Sequence, residues 1–173
     1  MKRCDLLVDA GRRRFLQGAG GAAAGAAVAT VAATPAKAQA PLARVSYPES
    51  RLANLSELAV NEPLSVAYPD ADAPGVLIKL GQAVPGGAGP DGDVVGFSTV
   101  CPHKGYPLSY NADDKTLNCP GHYSRFDCER GGQQTWGQAS QNLAQYALRV
   151  DDAGDVYAQG LDELLYGRVS NVL

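Results

Sequence analysis

Two cysteine–histidine pairs constrain this chain more than anything else in it. Cys101-Pro-His103 and, eighteen residues after the first cysteine, Cys119-Pro-Gly-His122 contain the only two histidines among 173 residues. A proline follows each cysteine, which holds the local backbone dihedral and removes an amide donor. Gly105 and Gly121 permit tight turns or close approach of the backbone to something bulky. Two stiff loops, each presenting one thiolate and one imidazole, make a cage of four ligands: Cys101, His103, Cys119 and His122. Tetrahedral zinc accepts that donor set. So does a [2Fe–2S] cluster with cysteines on one iron and histidines on the other. Zinc hooks usually take two ligands from one short turn and two from a helix. Here each loop supplies one sulfur and one nitrogen, so the loops must face each other across a wider object. That favours the two-iron cluster and leaves zinc as the alternative.

The rest of the chain reads as an all-β domain. Short apolar runs separated by breakers predict strands at 64–68 (LSVAY), 75–80 (GVLIKL), 94–100 (VVGFSTV) and 115–119 (KTLNC). YALRV and DVYAQ flank DDAG, a hairpin turn. LDELLYG near the end predicts a short helical turn, and 39–60 reads as a lead-in with a trace of helical spacing at 50–60. The 20 glycines and 11 prolines fit many turns rather than long helices.

The first forty residues have the layout of an export signal. Arg12–Arg14 are followed by an uncharged stretch from Phe15 to Ala36, and Ala36-Lys37-Ala38 offers small residues to a signal peptidase. Arg12-Arg13-x-Phe15-Leu16 resembles a twin-arginine signal. The expected organisation is a signal over 1–38, cleaved after Ala38, and a single domain over 39–173 in the periplasm. A retained leader would make a membrane anchor, and membrane contact is expected only in that case. Lys2, Arg3, Arg12, Arg13, Arg14 and Lys37 account for six of the fifteen basic residues, and Asp5 and Asp9 for two of the eighteen acidic ones. Nine basic against sixteen acidic residues remain in the body, which steers it towards a positively charged partner. No basic patch and few aromatics appear there, so nucleic acid is not an expected ligand.

The pattern C-x-H…C-x2-H resembles the Rieske iron–sulfur proteins. More narrowly, CPHKGYPL, CPGHYSRFD, GGQ (131–133), QNL (141–143) and LLYGR (164–168), with the twin-arginine leader, resemble the small subunit of bacterial arsenite oxidase. The resemblance implies an antiparallel β-sandwich carrying a smaller cluster-binding β subdomain at about 95–135, formed by two loops. It implies one [2Fe–2S] Rieske cluster, with Cys101 and Cys119 on the inner iron and His103 and His122 on the outer, surface-facing iron. It implies a large molybdenum and iron–sulfur catalytic subunit that oxidises arsenite. This chain would be its non-catalytic electron-transfer subunit, passing electrons to a periplasmic cytochrome c or an azurin-like copper protein. A Rieske subunit of a membrane quinol-oxidising cytochrome complex is the alternative within the family. The ferredoxin of an aromatic-ring dioxygenase fits poorly with an exported chain, and a zinc-stabilised periplasmic binding protein is the alternative outside the family.

The resemblance also exposes departures. Many Rieske proteins tie their loops with a disulfide whose cysteines would match Tyr106 and Gly121; neither is cysteine here. Packing by Pro107, Leu108 and a partner protein is expected to do more of the holding. Ser124 matches the serine that donates to a bridging sulfide in high-potential members. Phe126 stands where those members carry a tyrosine that donates to a ligand sulfur, so a potential below theirs is expected. Cys128 has no intramolecular partner in this scheme and reads chiefly as a small buried hydrophobe.

Overall fold

A computed structural model describes residues 46–168. The expected leader, its cleavage point and Cys4 lie outside the described residues. Among those described, no helix is long and apolar enough to cross a membrane. Ten strands form three antiparallel sheets. The first sheet is β1 (Ser50–Asn54), β10 (Asp155–Leu161) and β9 (Tyr146–Val150), in that order. The second is β2 (Pro63–Ala67), β3 (Pro74–Lys79) and β4 (Val94–Ser98). The third is β5 (Ser109–Asn111), β6 (Thr116–Asn118), β7 (Arg125–Asp127) and β8 (Gln133–Trp136).

The middle sheet explains the unbroken apolar runs of the sequence. A strand covered on both faces has no solvent side and loses its polar alternation. Leu77 and Val94 point into a core shared with Ala53 of β1 and Val156 of β10. Their neighbours Val76, Ile78, Val95 and Phe97 point the other way, into a core shared with Leu117, Phe126, Cys101, Cys119 and Cys128. The second core therefore joins the sandwich to the four-stranded sheet at Ser109–Trp136, and it contains Cys101 and Cys119. The period of two along β3 and β4 delivers alternate side chains to two different cores.

The hairpin predicted at DDAG is present. Asp151 accepts at its side chain from the amides of Ala153 (3.0 Å) and Asp155 (2.9 Å), closing the turn between β9 and β10. Two expectations are corrected. Residues 50–54, taken as lead-in, form β1, paired with β10 at Ser50↔Ala158 and Arg51↔Tyr157. Its partner lies a hundred residues along the chain, so no local pattern announces it. LDELLYG forms no helix: Leu161 ends β10 and the rest is irregular turn. Leu165 buries beside Ala73 and Ala144, and Arg168 grips Asp70 with two hydrogen bonds of 2.5 and 2.9 Å. These distant anchors outweigh a weak local helical preference.

Tyr146 lies flat across β3 and β4, in space left by two glycines. A Cβ on Gly75 would sit 1.7 Å from its hydroxyl oxygen, and one on Gly96 2.6 Å from its ring. That hydroxyl is buried with no hydrogen-bond partner among the described residues. A buried polar group left unsatisfied costs stability. Tyr146→Phe is therefore expected to stabilise the fold by about 1 kcal/mol, read as a higher denaturant midpoint at unchanged slope.

Candidate metal centre

Both cysteines are held by the same backbone device. In the first loop, after β4, the Cys101 amide donates to the Tyr106 carbonyl (2.8 Å) and the Cys101 carbonyl accepts from the Gly105 amide (2.8 Å). In the second, between β6 and β7, the Cys119 amide donates to the Ser124 carbonyl (2.9 Å) and the Cys119 carbonyl accepts from the Tyr123 amide (3.1 Å). Cysteine is thus closed to the residues four and five positions on in each loop. The fourth position is left-handed in both: Gly105 at φ 71° and Tyr123 at φ 60°. Glycine adopts that region freely, whereas an ordinary residue is held there at a cost of roughly 1–2 kcal/mol.

The two loops bring Cys101 against Cys119 and His103 against His122. Cys101 and Cys119 are buried in the core that also holds Phe126 and Cys128. Their two histidines stack edge to face above them, ring centroids 4.7 Å apart and planes at 79°. His122 is exposed, and His103 is half-buried. The Nδ1 atom of His103 is buried without a hydrogen-bond partner among the described residues. Such a nitrogen is costly unless it ligates something. Burial pushes the Cys101 thiol up, the amides of His103 and Lys104 donating to it pull it down, and the neighbouring Cys119 thiol raises it again. The buried thiols of Cys101 and Cys119, the exposed His122 and the unpartnered buried Nδ1 of His103 fit a cluster with its sulfur-held iron inward.

Ser124 closes the second loop onto Cys119, and Phe126 shares the core that holds Cys101 and Cys119. Ser124 is fully buried, and its Oγ accepts from the Ala139 amide at 2.9 Å. Its hydroxyl proton is left free to donate elsewhere. Phe126 is fully buried and pairs with Leu117 across β6 and β7. Cys128 is the buried small hydrophobe expected: its thiol has no disulfide partner among the described residues, and burial pushes its pKa up to about 12.

The loops hold together without a covalent tie. The positions expected to lack cysteine touch each other: a Cβ on Gly121 would meet the Tyr106 ring at 2.9 Å. That ring also stands edge-on to His122 at 5.9 Å. Tyr166, carried by the segment that Arg168 pins, lies over Gly105, where a Cβ would be 2.7 Å from it. Leu108 contributes as expected, partly buried against the same core. Gly137, just past β8, packs on the second loop, where a Cβ would lie 2.4 Å from the Ser124 Cα. Sequence reasoning missed Tyr166 and Gly137 as braces. The signal for Gly137 was a glycine just past Trp136; the signal for Tyr166 was an aromatic in a segment misread as helical.

The Rieske [2Fe–2S] domain family matches residues 50–147. The chain belongs to that family. This Rieske protein carries a [2Fe–2S] cluster, and the zinc alternative falls with that membership. Its fold is shared with the soluble domain of the Rieske protein II from Sulfolobus acidocaldarius, at a TM-score of 0.61 and 24% identity over 72% of this chain and 85% of that one. The iodate reductase subunit IdrB of Denitromonas iodatirespirans is 41% identical over 165 residues, spanning 92% of this chain and 85% of the relative. The IdrB of a Pseudomonas strain is 39% identical over 160 residues. The Rieske subunit of the cytochrome bc1 complex of Corynebacterium efficiens is 37% identical over 70 residues, which is 40% of this chain and 17% of that subunit. The narrower expectation of an arsenite oxidase subunit is thereby corrected: these two relatives, matched over 85% and 81% of their length, are iodate reductase subunits. Two of the segments that carried it, CPHKGYPL and CPGHYSRFD, hold the cysteine–histidine pairs, and those residues report the cofactor rather than the reaction of the partner.

Proposed function

We propose that this Rieske protein is the one-electron relay of an oxyanion-reducing complex of the iodate reductase type. Cys101 and Cys119 hold the inner iron and His103 and His122 the outer. The single observation behind a relay is the layout of the cage: both sulfurs buried and both imidazoles at or near the surface. Four protein ligands leave no open position for a substrate, and both histidines are committed, so none remains for acid–base work.

When bound, the cluster supplies a reversible one-electron couple in the range of about −150 to +300 mV. The chain's own residues set the rest. Burial of Cys101 and Cys119 excludes water from the sulfur side. The amides of His103 and Lys104 stabilise negative charge on Cys101. The exposed His122 leaves one edge of the cage open to a partner. An iodate-reducing partner reverses the flow expected for an oxidase: electrons pass from a soluble cytochrome c or copper protein, through this chain, into a catalytic subunit. That subunit is expected to carry molybdenum and iron–sulfur centres. Export by the twin-arginine route to the periplasm belongs to the same reading, supported by Arg12-Arg13-x-Phe15-Leu16.

The test is purification of the native complex from periplasm, with the reduced cluster followed by its low-average-g resonance. Adding iodate is expected to abolish the resonance in the complex and leave it in the isolated chain. Arg12→Lys with Arg13→Lys is expected to empty the periplasm of the protein. A resonance that ignores iodate and appears on adding quinol would favour a second reading, the Rieske subunit of a quinol-oxidising cytochrome complex. The 70-residue match to the bc1 subunit supports that reading.

A further inference from the structure

Tyr123 occupies, in the second loop, the left-handed position that the first loop gives to glycine. Its side chain gains no burial in return, being 73% exposed. Trp136, at the end of the adjacent strand β8, is 69% exposed. Between the two lies a hollow of about 240 Å3, lined also by Asn118, Ser124, Arg125 and the ligand Cys119. The hollow therefore adjoins Cys119 in the second loop.

The electrostatics of this flank differ from those of the body. Arg125 at its rim is already bound to Asp114 and Asn118. Residues 131–148, which include Trp136, contain no charged residue. The body beyond residue 38 carries sixteen acidic against nine basic residues. Such a field draws a basic partner from a distance. An uncharged aromatic patch suits the centre of the contact once the partner arrives.

We infer that the Tyr123–Trp136 hollow is the docking site of a small, basic, soluble one-electron carrier, a c-type cytochrome, and that Cys119 is the port through which its electron reaches the cluster. This rests on the relay reading, because a relay seated by its histidines in a catalytic subunit needs a second face for its donor. In the step, the carrier's ferrous haem loses one electron and becomes ferric. The cluster gains that electron, and no bond or proton changes hands. Tyr123 holds a left-handed backbone with its ring 73% exposed, so burial does not offset the strain.

Tyr123→Gly separates the two roles, since glycine takes the left-handed backbone without strain. The holoprotein, reduced beforehand, is mixed with lysine-rich ferricytochrome c in a stopped-flow instrument, which reads the same port in reverse. Tyr123→Gly and Trp136→Ser are each expected to lower the second-order rate at least tenfold. Midpoint potential and resonance line shape should match wild type in Trp136→Ser, whose residue lies on β8 outside both cluster loops. Oxidation by ferricyanide, small enough to approach any face, should be unchanged, and the cytochrome rate should fall with added salt. Wild-type cytochrome rates in both variants would overturn the inference. So would an equal loss with ferricyanide, which would mark a disturbed cluster. Failure to co-purify with a catalytic subunit would remove the relay reading without touching this measurement, which uses the isolated chain.

Discussion

Replacing Gly137 with alanine is expected to leave a folded sandwich that carries little or no iron. Gly137 sits at φ 92°, and a Cβ there would lie 2.4 Å from the Ser124 Cα, 2.5 Å from its nitrogen and 2.7 Å from the Tyr123 carbonyl oxygen. All three are backbone atoms of the second cluster loop and cannot swing aside as a flexible side chain can. The loop must move, and the closure of Cys119 onto Tyr123 and Ser124 moves with it. The hydrogen bond from the Ala139 amide to Ser124 Oγ, two residues beyond Gly137, is strained as well. The sandwich core of Ala53, Leu77, Val94 and Val156 lies on the other face of the middle sheet and does not depend on this contact. Iron per chain and the intensity of the reduced-cluster resonance measure the loss, and far-ultraviolet circular dichroism checks the sandwich. Gly167→Ala is the control. Gly167 is also left-handed, at φ 79°, but has nothing within 4 Å of its Cβ position. Its substitution adds backbone strain without a collision, and the cluster should load normally. Full loading of Gly137→Ala at wild-type potential would show that the brace from β8 does not shape the cage.

His122→Cys is expected to lower the midpoint potential by on the order of 200 mV, because a neutral imidazole is exchanged for an anionic thiolate. Extra negative charge at the cage makes the added electron harder to accept. The site tolerates the change better than His103 would. His122 is exposed, so a thiolate there keeps partial solvation, whereas the Nδ1 of His103 is buried and unpartnered. A redox titration followed by the resonance measures the shift. Loss of the cluster would also agree with a ligand role. An unchanged potential with full loading would remove His122 from the ligand set.

The cofactor was legible because metal ligands are residue types at spacings, and both histidines stand beside cysteines. The apolar runs of β3, β4, β9 and β10 were legible because burial on one or both faces writes itself into hydrophobicity. The strands β5, β7 and β8 were not read in advance. They span only three or four residues each, and their exposed positions break any pattern. Their pairing is set by neighbours in the sheet rather than by their own composition. The identity of the partner reaction was misread for a different reason. Segments such as CPHKGYPL and CPGHYSRFD answer to the cluster, and any partner that uses the same cluster leaves them alike.

Residue types alone thus decided the cofactor of this protein, its all-β character and its acidic body, since metal affinity, strand preference and charge are properties that each side chain brings with it. Folding decided which thiols are buried, that Tyr106 rests on Gly121 in place of a covalent tie, and that Gly137 and Tyr166 brace loops far from them in the chain. It also set a strained Tyr123 beside Trp136. Those are relations between distant segments, and they exist only once sheet pairing has brought the segments within contact distance.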